Sequence, residues 1–159
     1  MILKKENGAA AVEFAILLPL LVGLVFGIIE FGLLLYNQQV ITNASREGAR
    51  AAIVGKCAVR KTDAEISQIV TDYCIYQQTD GTTKKRLITF NTTNNAPSTT
   101  VTPSPSACTP GPGGSGLTVG DDVTVTTTYN YTFLVPSLLG FGPTKLLSAR
   151  TVMKMESAP

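Results

Sequence analysis

The stretch AAAVEFAILLPLLVGLVFGII, residues 9–29, decides how this chain is built. It holds 21 residues and a single charge, Glu13. As a helix it is about 31 Å long, which matches the hydrocarbon core of a bilayer. A carboxylate inside such a segment is costly unless it finds a partner. Lys4 and Lys5 stand just before the run, and by the positive-inside rule they hold the N-terminus in the cytoplasm and send the remainder across. Arg46, Arg50, Lys56, Arg60 and Lys61 lie beyond the far end and pull against this orientation, but the first helix and its flank dominate. A cleaved secretory signal has a shorter apolar core of about 7–15 residues, and here the run continues through Phe31-Gly32-Leu33-Leu34-Leu35-Tyr36.

Helical character extends past the apolar run. Val40, Ile41, Ala44, Ala51 and Ala52 space the segment 37–52, Gly48 reads as an interruption, and Gly55 as the stop. A helix from Ala9 to about Val54 would reach roughly 69 Å. Pro19 removes one backbone donor and predicts a kink or local unwinding. Gly23 and Gly27 form a small-xxx-small pair that suits close helix contact or, more simply, is chance in a glycine-tolerant segment.

The totals exclude several kinds of chemistry. No histidine occurs among the 159 residues, so histidine triads, histidine metal ligands and a histidine general base are excluded. A net charge of +2 without a basic cluster gives no nucleic-acid surface. Cys57, Cys74 and Cys108 have no CxxC spacing, so no metal or redox motif is read and no cofactor is expected. Asp121 and Asp122 are paired acids, but neighbours on a strand point to opposite faces, and a surface turn is the better account.

Thr62-Asp63-Ala64-Glu65 forms a capping box ahead of Ile66, Ile69, Val70 and Tyr73, predicting a second helix from about Asp63 to Tyr76. Leu87–Phe90 reads as a short strand. Residues 91–120 are rich in Thr, Ser, Pro and Gly and read as an exposed loop, with 99–102 able to pair as an edge strand. Val123, Val125, Tyr129, Tyr131 and Phe133 alternate with polar residues, predicting a half-buried strand over Asp122–Leu134. Leu147, Ala149, Met153 and Met155 do the same over Leu147–Glu156. The predicted fold is α+β: a long N-terminal transmembrane helix running into a small exported domain with one further helix and a short antiparallel sheet. Its segments are a leader at 1–8, the helix at 9–55 and the domain at 56–159. A Cys74–Cys108 disulfide would tether the long loop, with Cys57–Cys108 and Cys57–Cys74 as alternatives; the cysteine left over reads as a small buried apolar residue.

Gly8, then Ala9-Ala10-Ala11-Val12, then Glu13-Phe14, resembles the prepilin cleavage motif of the Flp, or tight-adherence, class of type IVb pilins. With Leu18-Pro19-Leu20, Glu30-Phe31-Gly32 and Arg46-Glu47-Gly48-Ala49-Arg50, the first 55 residues are similar to the TadE-like pilus-assembly pseudopilins. The tail Val152–Glu156 also resembles that family, whereas the middle of the chain is not diagnostic. The resemblance implies cutting between Gly8 and Ala9 by a prepilin peptidase, where a residue without a side chain lets the backbone pass close to the catalytic carboxylates. It further implies an assembly contact at Glu13 and Phe14, with Glu13 meeting the new Ala9 amine of a neighbour; the alternative for Glu13 is that it snorkels to the cytoplasmic headgroups from one turn inside. Phe14 stands where Flp pilins usually carry Tyr, and the DxSxS metal motif of the related TadG-like proteins is absent from the sequence. Glu30 reads as a solvated boundary residue or a secondary contact to Arg46 of another subunit. The implied partners are a prepilin peptidase, a Flp-type major pilin and other pseudopilins, the inner-membrane assembly platform and membrane lipid. The expected role is structural, not enzymatic: a minor pilin or pseudopilin at the bacterial inner membrane. The competing reading is a non-polymerising, signal-anchored periplasmic binding or scaffold protein.

Overall fold

The computed structural model describes residues 6–54, 60–77, 83–88, 96–104, 117–135 and 142–156. Helix α1 (Glu6–Ile53) is followed by α2 (Asp63–Cys74), β1 (Ile75–Gln77), β2 (Thr83–Lys85), β3 (Ser98–Thr102), β4 (Asp122–Thr132) and β5 (Thr144–Lys154). The α+β expectation holds. β3, β4 and β5 form an antiparallel sheet in that order, and β1 pairs antiparallel with β2.

α1 has 48 residues and is about 72 Å long. Its two halves differ sharply. From Gly8 to Ile29 most side chains are exposed and none is buried, and the apolar residues Val12 to Ile29 meet no core. From Glu30 onward one stripe is buried: Glu30, Asn37, Ile41, Ala44, Gly48 and Ala52 recur at intervals of three, four and seven, the period of a helix face. The helix continues without unwinding through Pro19. Proline removes one i→i−4 bond, and the bonds on either side carry the helix across it.

The other half of the core comes from the sheet. Val123, Val125, Thr127, Tyr129 and Tyr131 of β4 face inward. Their cross-strand partners Met153, Thr151, Ala149, Leu147 and Lys145 of β5 share that face. Tyr129, Tyr131, Leu147 and Ala149 pack with Val40, Ile41, Ala44, Val70 and Cys74; further along α1, Ala49, Ala52 and Ile53 pack with Ile66, Val123, Val125 and Met155. Each buried Val, Ile, Leu or Met among them contributes roughly 1.5–3 kcal/mol. α2 starts as its sequence dictates. Thr62 caps it, the Glu65 N–H donates to Thr62 Oγ1 at 3.3 Å and the Thr62 N–H donates to Glu65 Oε2 at 2.7 Å. The Thr62 N–H foremost, and then the Thr62 hydroxyl donating to the same Oε2 at 3.0 Å, hold the Glu65 carboxyl below its ordinary pKa.

Three expectations need correction. α2 ends at Cys74 rather than Tyr76, because Ile75–Gln77 pairs with Thr83–Lys85. Leu87–Phe90 does not supply a sheet strand: Arg86 and Leu87 bend, and both backbone groups of Ile88 are engaged by the Asn37 side chain, leaving none for a ladder; Thr89 and Phe90 lie outside the described residues. The third strand is instead the edge segment Ser98–Thr102. Gly48 does not interrupt α1 but allows α2 to approach it, for a Cβ there would stand 2.6 Å from Val70 Cγ2. The stop expected at Gly55 falls outside the described residues.

Gly48→Ala should therefore destabilise the fold by about 1–2 kcal/mol, because overpacking outweighs the ~1 kcal/mol gained in helix propensity. Gly32→Ala, where a Cβ meets nothing within 4 Å, should not. Urea unfolding of the detergent-solubilised chain checks this; a Gly48→Ala variant as stable as the parent contradicts it.

Candidate functional site: the bare helix and its polar clasp

The residues singled out at the N-terminal end all lie on α1. Gly8 is exposed, and a Cβ there would meet nothing within 4 Å. Ala9 and Glu13 are exposed, and Phe14 is 64% exposed. Glu13 stands four residues after Ala9, so within one subunit the two share a helix face one turn apart. Nothing in the folded domain covers this end among the described residues. The apolar window within Gly8–Ile53 is long and apolar enough to cross a membrane, and none of it is buried inside the fold. That combination makes the N-terminal half of α1 a candidate membrane span.

The structure places Glu30 differently from the sequence reading. It is 3% exposed, not solvated. Its Oε1 accepts from the Tyr131 hydroxyl at 2.5 Å, and both carboxylate oxygens accept from the Leu134 N–H at 3.1 and 3.0 Å. Hydrogen bonds to a charged group are worth about 1.5–3 kcal/mol each, enough to offset much of the cost of drawing the carboxylate out of water. Arg46, the contact suggested for Glu30 in another subunit, is exposed on α1 four turns further on.

Glu30 is the first of several polar attachments along α1. Asn37 Nδ2 donates to the Ile88 carbonyl at 2.7 Å, and the Ile88 N–H donates back to Asn37 Oδ1 at 2.8 Å. Gln38 Nε2 donates to the Ser148 carbonyl at 2.9 Å. Ser45 Oγ and Thr151 Oγ1 lie 2.7 Å apart and share a hydrogen bond. Sequence reasoning missed all of these. A signal for the first existed: a tyrosine on the inward face of a strand brings a hydroxyl that needs a partner, and the last carboxylate of the apolar run was available. Tyr131 is further fixed by an edge-on contact with Phe133, ring centres 5.4 Å apart.

Cys74 is a free thiol in the core. Burial pushes the thiol up to about 11, against a smaller downward pull from Arg86. It stays protonated at neutral pH and packs as a small apolar residue. Cys57 and Cys108 lie outside the described residues. Asp121 sits in a turn, accepting from the Thr118 N–H at 2.6 Å and from its hydroxyl at 2.9 Å. Gly120, at φ 94°, takes the left-handed position that this turn needs. Asp122 is ion-paired with Lys154 at 3.2 Å on the surface. Among the described residues no cluster of Cys, Asp and Glu is arranged to hold a metal.

The clasp has a pH signature. Burial first, then the bond to Glu30 and its negative charge, raise the Tyr131 phenol above its ordinary value of 10.0. A raised folded-state pKa means this contribution is fully present below about pH 10 and is lost as the pH climbs toward the folded-state value. Tyr131→Phe should cost about 1.5–3 kcal/mol at pH 7, with the difference from the parent narrowing above about pH 10. Unfolding at both pH values checks it, and a variant as stable as the parent at pH 7 removes the clasp from the account.

Residues 8–50, about a quarter of the chain, match the model of the TadE-like protein family. No curated protein and no solved structure matches the chain significantly. The matched segment runs from the glycine before the apolar run, through Glu30, Asn37 and Ser45, to the last turn of α1. Through that segment the chain is similar to the TadE-like proteins.

Proposed function

We propose that this protein is a minor pilin or pseudopilin of a tight-adherence pilus or a related secretion filament. A prepilin peptidase cuts between Gly8 and Ala9, the N-terminus faces the cytoplasm, and the folded domain is exported. The mature chain then assembles through the bare half of α1. The observation that carries the reading is the coincidence of the Gly8–Glu13–Phe14 spacing with the one stretch of α1 that the fold leaves uncovered.

Cleavage turns Ala9 into an α-amine. A carboxylate in a membrane helix costs about 2.5–3.5 kcal/mol on insertion scales, so an isolated subunit is penalised at Glu13. In a helical bundle Glu13 of one subunit pairs with the Ala9 amine of the next, and assembly relieves the penalty. Phe14 stands beside it as an apolar contact. The folded domain is carried outside the bundle by the second half of α1. The partners on this reading are the peptidase, a Flp-type major pilin with other pseudopilins, and the inner-membrane assembly platform.

The test is co-expression with a prepilin peptidase and a Flp-type major pilin. Intact mass should show loss of residues 1–8 from both the parent and Glu13→Val, while only the parent enters sheared filaments at full level. A full-length parent chain overturns the processing step and supports a non-polymerising anchored scaffold. Filaments that hold Glu13→Val at parental level remove the pairing role.

A further inference from the structure

A groove of about 890 Å³ runs along α1 where the anchor meets the folded domain, walled by Leu24, Ile28, Phe31 and Leu34 on one side and Phe133, Thr144 and Lys145 on the other. Its size is within the range of small-ligand sites, roughly 300–1,000 Å³. Leu24 and Ile28 belong to the uncovered apolar stretch, whereas Lys145 belongs to β5. The groove therefore straddles the level at which the bilayer ends and the domain begins.

Its charge is one-sided. Lys145 is exposed and has no hydrogen bond or ion pair among the described residues. It is the cross-strand partner of Tyr131, so it shares the face that Tyr131 presents to α1. Glu30 also borders the groove, but its carboxylate is buried and turned to Tyr131 and Leu134. What remains for an occupant is a long apolar wall that ends at the Lys145 ammonium, which has no ion-pair partner among the described residues.

We propose that this groove binds one anionic glycerophospholipid, with the headgroup phosphate on Lys145 and an acyl chain along Leu24, Ile28 and Phe31. The apolar wall is continuous with the lipid-facing surface of the anchor, so lipid reaches it without any assembly step. A second copy of α1 fits the chemistry less well. Lying parallel and level, it brings its exposed Glu13 no closer to the height of Ile29 than sixteen residues, about 24 Å, and its own Glu30 is buried against Tyr131 and Leu134. The inference rests on the anchor alone, not on processing or assembly, so its failure leaves those untouched.

The full chain in detergent is titrated with phosphatidylglycerol and, separately, with phosphatidylcholine, and read by native mass spectrometry. A single bound phosphatidylglycerol is expected, favoured over phosphatidylcholine. Lys145→Glu should weaken it about tenfold. Arg150→Glu makes the same charge change on the opposite face of the sheet and should bind as the parent does; circular dichroism confirms that both variants fold. Equal retention of both lipids by the parent and Lys145→Glu overturns the proposal. So does a dimer in place of the lipid adduct, which assigns the groove to a second copy.

Discussion

A carboxylate stands at the end of a bilayer-length apolar helix, and the fold is arranged to satisfy it. Glu30 cannot be left bare against hydrocarbon, and in this chain it is also shut off from water. The Tyr131 hydroxyl and the Leu134 N–H supply its hydrogen bonds. That requirement fixes the end of β4 against one turn of α1. Because α1 is continuous, fixing one turn sets the height of the whole domain along the helix. The residues before Glu30 are then left uncovered, and those after it are buried along one stripe.

The attachments beyond Glu30 work by specificity as much as by energy. Apolar stripes slide with small cost, since one buried aliphatic contact resembles the next. Asn37 engages both backbone groups of Ile88, and Ser45 meets Thr151; each pairing is satisfied in one register only. Gly48 adds a steric lock, since α2 approaches there closely enough to exclude a Cβ. The result is a rod with a domain held on one half. For an anchored protein this geometry presents the domain at a set distance from the membrane. For a subunit that assembles through the other half, it keeps the uncovered helix free of its own fold.

Much of this was legible in the sequence, because long-period patterns depend on few contacts. The apolar run, the capping box at Thr62 and the alternation in β4 and β5 each dictate an element through local chemistry, and each element formed. Positions settled by partners distant in sequence were not legible. Glu30 looked solvated because its partners lie 101 and 104 residues away. Leu87–Phe90 has strand composition, but Ile88 spends its backbone groups on Asn37. Gly48 carries the propensity of a breaker, yet its lack of a side chain serves packing. The N-terminal resemblance rests on local spacing, Gly8–Glu13–Phe14, and residues 8–50 match the TadE-like family model.

α1 changes environment at Glu30, and site-directed spin labelling of the full chain in lipid nanodiscs reads that boundary. Labels at Ile16, Leu20 and Leu24 should relax with oxygen and be shielded from a water-soluble nickel chelate. Labels at Gln39, Asn43 and Glu47, exposed on the docked half, should show the reverse. Oxygen access that runs on past Gln39, or chelate access at Leu20, would contradict a boundary set by the Glu30 clasp.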